Sequence, residues 1–82
     1  MYYVYILYSS SGKRYYIGQT NDVNQRLLRH NSGFEKSTSP YSPWDLILTL
    51  TKNSRSEAMI LEKKLKNLNI PDLQKFITKY KS

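Results

Sequence analysis

The sequence contains no cysteine. Disulfide staples, thiolate metal sites and thiol nucleophiles are therefore excluded, and a reducing compartment is permitted. Glycine and proline number three each, and no glycine-rich phosphate loop is present. The one histidine, His30, has no serine–acid constellation around it, so a serine-type triad is excluded. The acids are only six, Asp22, Glu35, Asp45, Glu57, Glu62 and Asp72. A carboxylate cluster for two metal ions is hard to assemble from them. No apolar run approaches the roughly 20 residues of a membrane span. The opening "MYYVYILYSS" lacks the basic segment and small-residue cleavage site of a signal peptide. These absences lead to the expectation of a cytoplasmic protein with no membrane association.

What the chain has in quantity is positive charge and tyrosine. Thirteen Lys and Arg against six acids give a net charge of +7 on 82 residues. Such a field favours polyanions, nucleic acid first. Eight tyrosines stand against two phenylalanines and one tryptophan. Tyrosine has an apolar body and a polar tip, and eight exceed what a thin core needs. The length suits one domain over residues 1–82 and leaves no room for a second. A domain of this size buries only about 60% of its unfolded surface, and a homodimer would thicken its core.

Patterning then gives the elements. "YYVYILY" (2–8) and "RYYIGQT" (14–20) read as strands joined through "SSSGK" into an antiparallel hairpin. Alternation places Val4 and Ile6 on one face of the first strand, with Tyr3, Tyr5 and Leu7 on the other. In the second strand Tyr15 and Ile17 share a face, and Tyr16 and Gly18 the other. Folding about Ser10–Ser11 pairs Tyr5 directly with Tyr16, opposite the face of Val4, Ile6 and Ile17. A helix is expected from about 22 to 31, with Asn21 as its N-cap, Val23 and Leu27 inward, and Gly33 at its end. Arg26 and His30 lie four apart and share a helical face.

Residues 34–43, "FEKSTSPYSP", read as a loop. "WDLILTLT" reads as a third strand, with Trp44, Leu46, Leu48 and Leu50 alternating onto one face. "SRSEAMILEKKLKNLN" is the clearest helix: Ser54 and Glu57 form a capping box, and Ala58, Leu61, Leu65 and Leu68 form the apolar stripe. Pro71 suits the first turn of a last helix whose inward face is Leu73, Phe76, Ile77 and Tyr80. The order β-β-α-β-α-α implies an α+β domain, a three-stranded antiparallel sheet flanked by helices.

Single residues carry modest functional signals. Glu62 falls at the edge of the apolar arc of its helix, where a carboxylate either pairs with Lys66, four residues on, or holds something else. Arg26 with His30 could grip a phosphate or form a solvated basic face. Tyr5 with Tyr16 could be ordinary cross-strand packing.

Taken in order, these residues resemble a known family. "YVY" (3–5) followed by "YIG" (16–18), then "QRLLRH" (25–30) and "RSEAMILEKKLKN" (55–67), is similar to the motif set of the GIY-YIG nuclease superfamily. The likeness is nearest to small stand-alone bacterial members related to the N-terminal nuclease domain of the nucleotide-excision-repair excinuclease. Tyr3 stands where the motif has glycine, and Val4 where it has isoleucine. No position matches the asparagine that many members carry after the metal glutamate, although Asn67 and Asn69 lie nearby.

The resemblance implies a metal-dependent endonuclease that hydrolyses DNA phosphodiester bonds, in repair or processing. It implies Tyr5 as general base, with Tyr16 positioning water or phosphate and Gly18 admitting close approach. It implies Arg26 and His30 on the phosphoryl oxygens, and Glu62 as ligand of one divalent cation, Mg2+ or another such as Mn2+. The alternative is a non-catalytic nucleic-acid-binding module on the same fold, using its charge and tyrosines to hold phosphates and bases.

Overall fold

In the computed structural model, which describes residues 1–81, the order is the expected one. The elements are β1 (Tyr2–Ser9), β2 (Arg14–Thr20), α1 (Val23–Asn31), a single 3-10 turn (Ser39–Tyr41), β3 (Asp45–Lys52), α2 (Arg55–Lys66) and α3 (Ile70–Lys81). The strands form one antiparallel sheet in the order β2-β1-β3. The most apolar strand, β1, is central, and Val4 to Leu7 are all buried. Both faces of the sheet are therefore covered, one by helices α2 and α3 and the other by α1 with the 34–44 segment.

The first face is the larger core. Val4, Ile6 and Ile17 meet Ala58 and Leu65 of α2 and Leu73 and Ile77 of α3. The stripes read from helical periodicity supply these contacts, with Leu61, Leu68 and Phe76 packed around them. Tyr80 is the exception: it is half exposed and stacks on Phe76 at 4.6 Å between ring centroids. Ser54 caps α2 by accepting from the Glu57 N–H at 3.2 Å. Asn69 caps α3 in the same way through Asp72, and Asn67 is the C-cap of α2. Both asparagines near the metal-glutamate position thus have local backbone roles.

The second face gathers Tyr5, Leu7 and Trp44, with Tyr16, Val23, Leu27 and Tyr41 against them. Three sequence expectations change here. The N-cap of α1 is Asp22, whose carboxylate accepts from the Gln25 N–H at 3.1 Å, and not Asn21. Thr20 Oγ1 accepts from the Asp22 N–H and fixes that residue one position later than expected. Tyr5 pairs with Gly18, and Leu7 with Tyr16. The hairpin turns about Ser11–Gly12, because Lys13 takes a left-handed conformation at φ 51° and Ser9 Oγ accepts from the Gly12 N–H. The slip is two residues, so the faces survive it. Tyr5 and Tyr16 remain on one face as diagonal neighbours, with ring centroids 6.2 Å apart.

The third change is a bulge. Ile6 pairs with Leu48, but Leu7 pairs with Leu46, leaving Ile47 as an extra residue in β3. Trp44 and Leu46 therefore lie on the tyrosine face, while Leu48 and Leu50 lie on the α2–α3 face. Strict alternation cannot reveal such a switch.

Ile6→Ala is expected to lower unfolding free energy by about 2–5 kcal/mol, as for other fully buried aliphatics. Leu46→Ala, at a position 39% exposed, should cost about 1 kcal/mol or less. Urea denaturation of both variants checks this. Equal losses would place Leu46 in the core and remove the bulge.

Candidate active site

The site is built where β2, an edge strand, meets the ends of the tyrosine face. Tyr5 projects from central β1 across β2, and its ring lies over Gly18. A Cβ on Gly18 would sit 2.5 Å from the Tyr5 hydroxyl oxygen and 2.6 Å from Cζ, both on a side chain that is itself buried. Glycine at this position is what lets the phenol reach the sheet edge.

The Tyr5 hydroxyl does not end in solvent. It lies 3.1 Å from His30 Nε2, and His30 Nδ1 lies 2.9 Å from Thr38 Oγ1. Thr38 Oγ1 in turn reaches the Glu35 carbonyl at 3.4 Å. One arrangement of protons serves every member: Tyr5 donates to Nε2, Nδ1–H donates to Thr38, and Thr38 donates to the Glu35 carbonyl. Trp44 Nε1–H donates to the Thr38 carbonyl at 2.9 Å and pins the loop. Tyr5, His30 and Thr38 are all buried. Burial is the largest influence on both titratable members, since the charged form of each loses water. It pushes the Tyr5 phenol well above its ordinary value, aided by Tyr16, and Arg26 opposes this. It pulls His30 below its ordinary value. Both directions agree with a neutral donor phenol and a neutral acceptor imidazole.

This placement bears on two of the roles that the resemblance implies. Tyr5, expected as general base, has its hydroxyl enclosed against His30. His30, expected on the phosphoryl oxygens, has both ring nitrogens engaged inside the domain. It is an anchor for Tyr5. Thr38, which completes the anchor, carries no sequence signal beyond a serine- and threonine-rich loop.

The remaining candidates are Tyr16, Arg26 and Glu62. Tyr16 is half-buried, with its ring 4.6 Å from His30 and 6.3 Å from Trp44 between centroids. Arg26 is exposed on α1, and Glu62 comes from α2, on the other face of the sheet. Glu62 holds Lys66 at 3.0 Å through Oε2, with its side chain 21% exposed. The helical ion pair foreseen from the i, i+4 spacing is present. A single, partly exposed carboxylate still suits one magnesium ion, which keeps most of its water, provided that Lys66 yields.

The charge states give a pH expectation. The unfolded chain protonates His30 near its ordinary pKa of about 6.5, while the folded chain resists. Below that pH the unfolded state binds more protons, so stability present above it is lost as pH falls toward the lowered folded value. The urea midpoint should drop between pH 7.5 and 5, and drop less in His30→Gln. Equal pH slopes in the two proteins would remove His30 as the cause.

Comparison with known proteins gives the family. The model of the GIY-YIG catalytic domain matches residues 1–79. A UPF0213 protein of Halobacterium salinarum is 40% identical over 70 residues, which is 84% of this chain and 90% of the relative. A UPF0213 protein of Streptococcus pneumoniae is 39% identical over 77 residues, 93% of this chain and 77% of the relative. The solution NMR structure of a UPF0213 protein from Bacillus halodurans superposes with a TM-score of 0.63 at 33% identity, covering 98% of this chain and 86% of that one. With its family model matched almost end to end, and with the first motif tyrosine seated over the motif glycine beside the second, the chain belongs to the GIY-YIG family of nuclease-type catalytic domains.

Proposed function

We propose that the protein is a metal-dependent endonuclease that hydrolyses phosphodiester bonds in DNA. The observation that supports this reading is the Tyr5 ring seated on Gly18 beside Tyr16 at the edge of β2, in a chain that the GIY-YIG catalytic domain matches over residues 1–79. The net charge of +7 supplies the general attraction for the substrate.

The roles follow from exposure. Tyr16 is the phenol that water can reach, and its deprotonated oxygen takes the proton of the attacking water as the new phosphorus–oxygen bond forms and the bond to the leaving oxygen breaks. Tyr5 remains protonated and holds the geometry, its ring seated on Gly18 and its hydroxyl tied to His30. Arg26 neutralises charge that grows on the phosphoryl oxygens as the bond to the leaving oxygen breaks. Glu62 would hold Mg2+ or Mn2+, which supplies Lewis-acid stabilisation of the leaving oxygen. The Glu62–Lys66 pair is the one contact that favours the second reading, a binding module without catalysis. In such a module the carboxylate would stay neutralised by the lysine.

Nicking of a supercoiled plasmid by the purified protein with Mg2+ or Mn2+ tests the proposal. Tyr16→Phe should lose about 10²–10⁴-fold in rate, the usual worth of a general base. Arg26→Ala and Glu62→Gln should lose at least as much. Tyr5→Phe should retain more activity than Tyr16→Phe, but lose about 1–3 kcal/mol of stability by orphaning His30 Nε2. A folded protein that binds DNA and nicks none of several DNA structures with either metal would overturn the nuclease and leave the binding module.

A further inference from the structure

A second arginine lies beside Arg26 and was not singled out from the sequence. Arg55 opens α2, and a cleft of about 230 Å³ between the end of β2 and the two helices is lined by Tyr2, Gln19, Thr20, Asn21, Arg26 and Arg55. Among the described residues the ion pairs are Arg29–Glu35 and Lys66–Glu62, so neither guanidinium in this cleft is matched by a carboxylate. Two unpaired like charges facing one small cleft repel each other, and an anion between them would reverse that energy. Asn21 contributes here because Asp22, not Asn21, caps α1. The wall is thus built of two planar forks and uncharged amides, the donor set that suits phosphate oxygens.

The placement of this cleft relative to the reaction centre gives it meaning. Arg55 and Glu62 are seven residues apart in one helix, so they share a face about 10 Å apart along the axis. Arg55 lies beside Gln19–Asn21 at one end of β2. Lys66 lies at the other end, in a groove of about 340 Å³ that also includes Lys13, Arg14 and Tyr16. Gly18, under the Tyr5 hydroxyl, lies between them. Positive side chains therefore flank the candidate centre on both sides along the outer edge of one strand. The seven residues of β2 span about 20 Å at 3.3 Å each.

We propose that the outer edge of β2 is the track of a nucleic-acid backbone. In this track Arg55 seats a phosphate neighbouring the one cleaved, next to Arg26 on the cleaved group itself, and Lys13, Arg14 and Lys66 receive the strand beyond the centre. Lys66 has a double part. Drawn to the strand, it leaves Glu62, so arrival of substrate frees the carboxylate. The inference rests on the nuclease reading for the location of the centre, but its test needs no cleavage.

The test is binding of a fluorescent single-stranded oligonucleotide in EDTA, followed by anisotropy across a salt series. Each phosphate contact on a single strand contributes about 0.7 to the slope of log affinity against log salt. Arg55→Ala should weaken binding several-fold and flatten the slope by roughly that amount, with Arg55→Lys restoring part of both. Lys66→Ala should do the same. Lys79→Ala, on exposed α3 outside both clefts, should change neither beyond its share of net charge. Circular dichroism confirms that each variant is folded. Arg55→Ala with the wild-type affinity and slope would overturn the track even if the protein nicks DNA. A lowered slope in a protein that nicks nothing would support the track while removing the nuclease.

Discussion

The site depends on one contact, the Tyr5 ring lying flat over a residue with no side chain. Any Cβ at position 18 would meet the phenol at less than any ordinary contact distance. Because Tyr5 comes from the central strand and Gly18 from the edge strand, the contact carries a polar group from the middle of the core to the rim. Burying a hydroxyl so deeply demands a partner, and His30 supplies one. His30 in turn demands Thr38, and the Thr38 carbonyl accepts from Trp44. The 34–44 segment, which is loop in sequence and mostly loop in structure, is therefore fixed by a chain of obligations that begins at Tyr5.

This dependence sorts the two tyrosines. They sit on one face, one strand apart, and nothing in their sequence context ranks them. Their surroundings do. Tyr5 has its hydroxyl enclosed against His30, whereas Tyr16 stands half-buried at the edge with a basic groove beside it. A low local dielectric strengthens the hydrogen bond of the first. Partial exposure leaves the second open to solvent.

Most of the fold was legible in the sequence because its signals are periodic. The stripes of α2 and α3, the caps at Ser54 and the strand faces of the hairpin all follow from side-chain direction at spacings of 2 or 3.6. The family motif followed too, since its residues stand in order along the chain. What escaped lies where a local event breaks a period. A left-handed Lys13 moved the hairpin register by two, and a bulge at Ile47 moved Leu46 across the sheet. The anchoring of Tyr5 through His30 by Thr38 and the cleft shared by Arg26 and Arg55 escaped for a different reason. Each joins segments distant in sequence, and no one-dimensional pattern carries it.

The Glu62–Lys66 pair illustrates why reading a residue on its own helix is insufficient. On α2 alone it is a surface ion pair of the kind that contributes a few tenths of a kcal/mol. So weak a bond is easily exchanged for a stronger one, and Lys66 faces the groove where a polyanion would bring several charges at once. A tight buried pair would have withheld the carboxylate permanently, and an unpaired carboxylate would have repelled the incoming strand. A weak pair does neither: it masks a negative charge during approach and gives it up when the phosphates arrive. The same marginal energy that makes the pair negligible for stability makes it suitable as a substrate-released cover on the residue that would hold the metal.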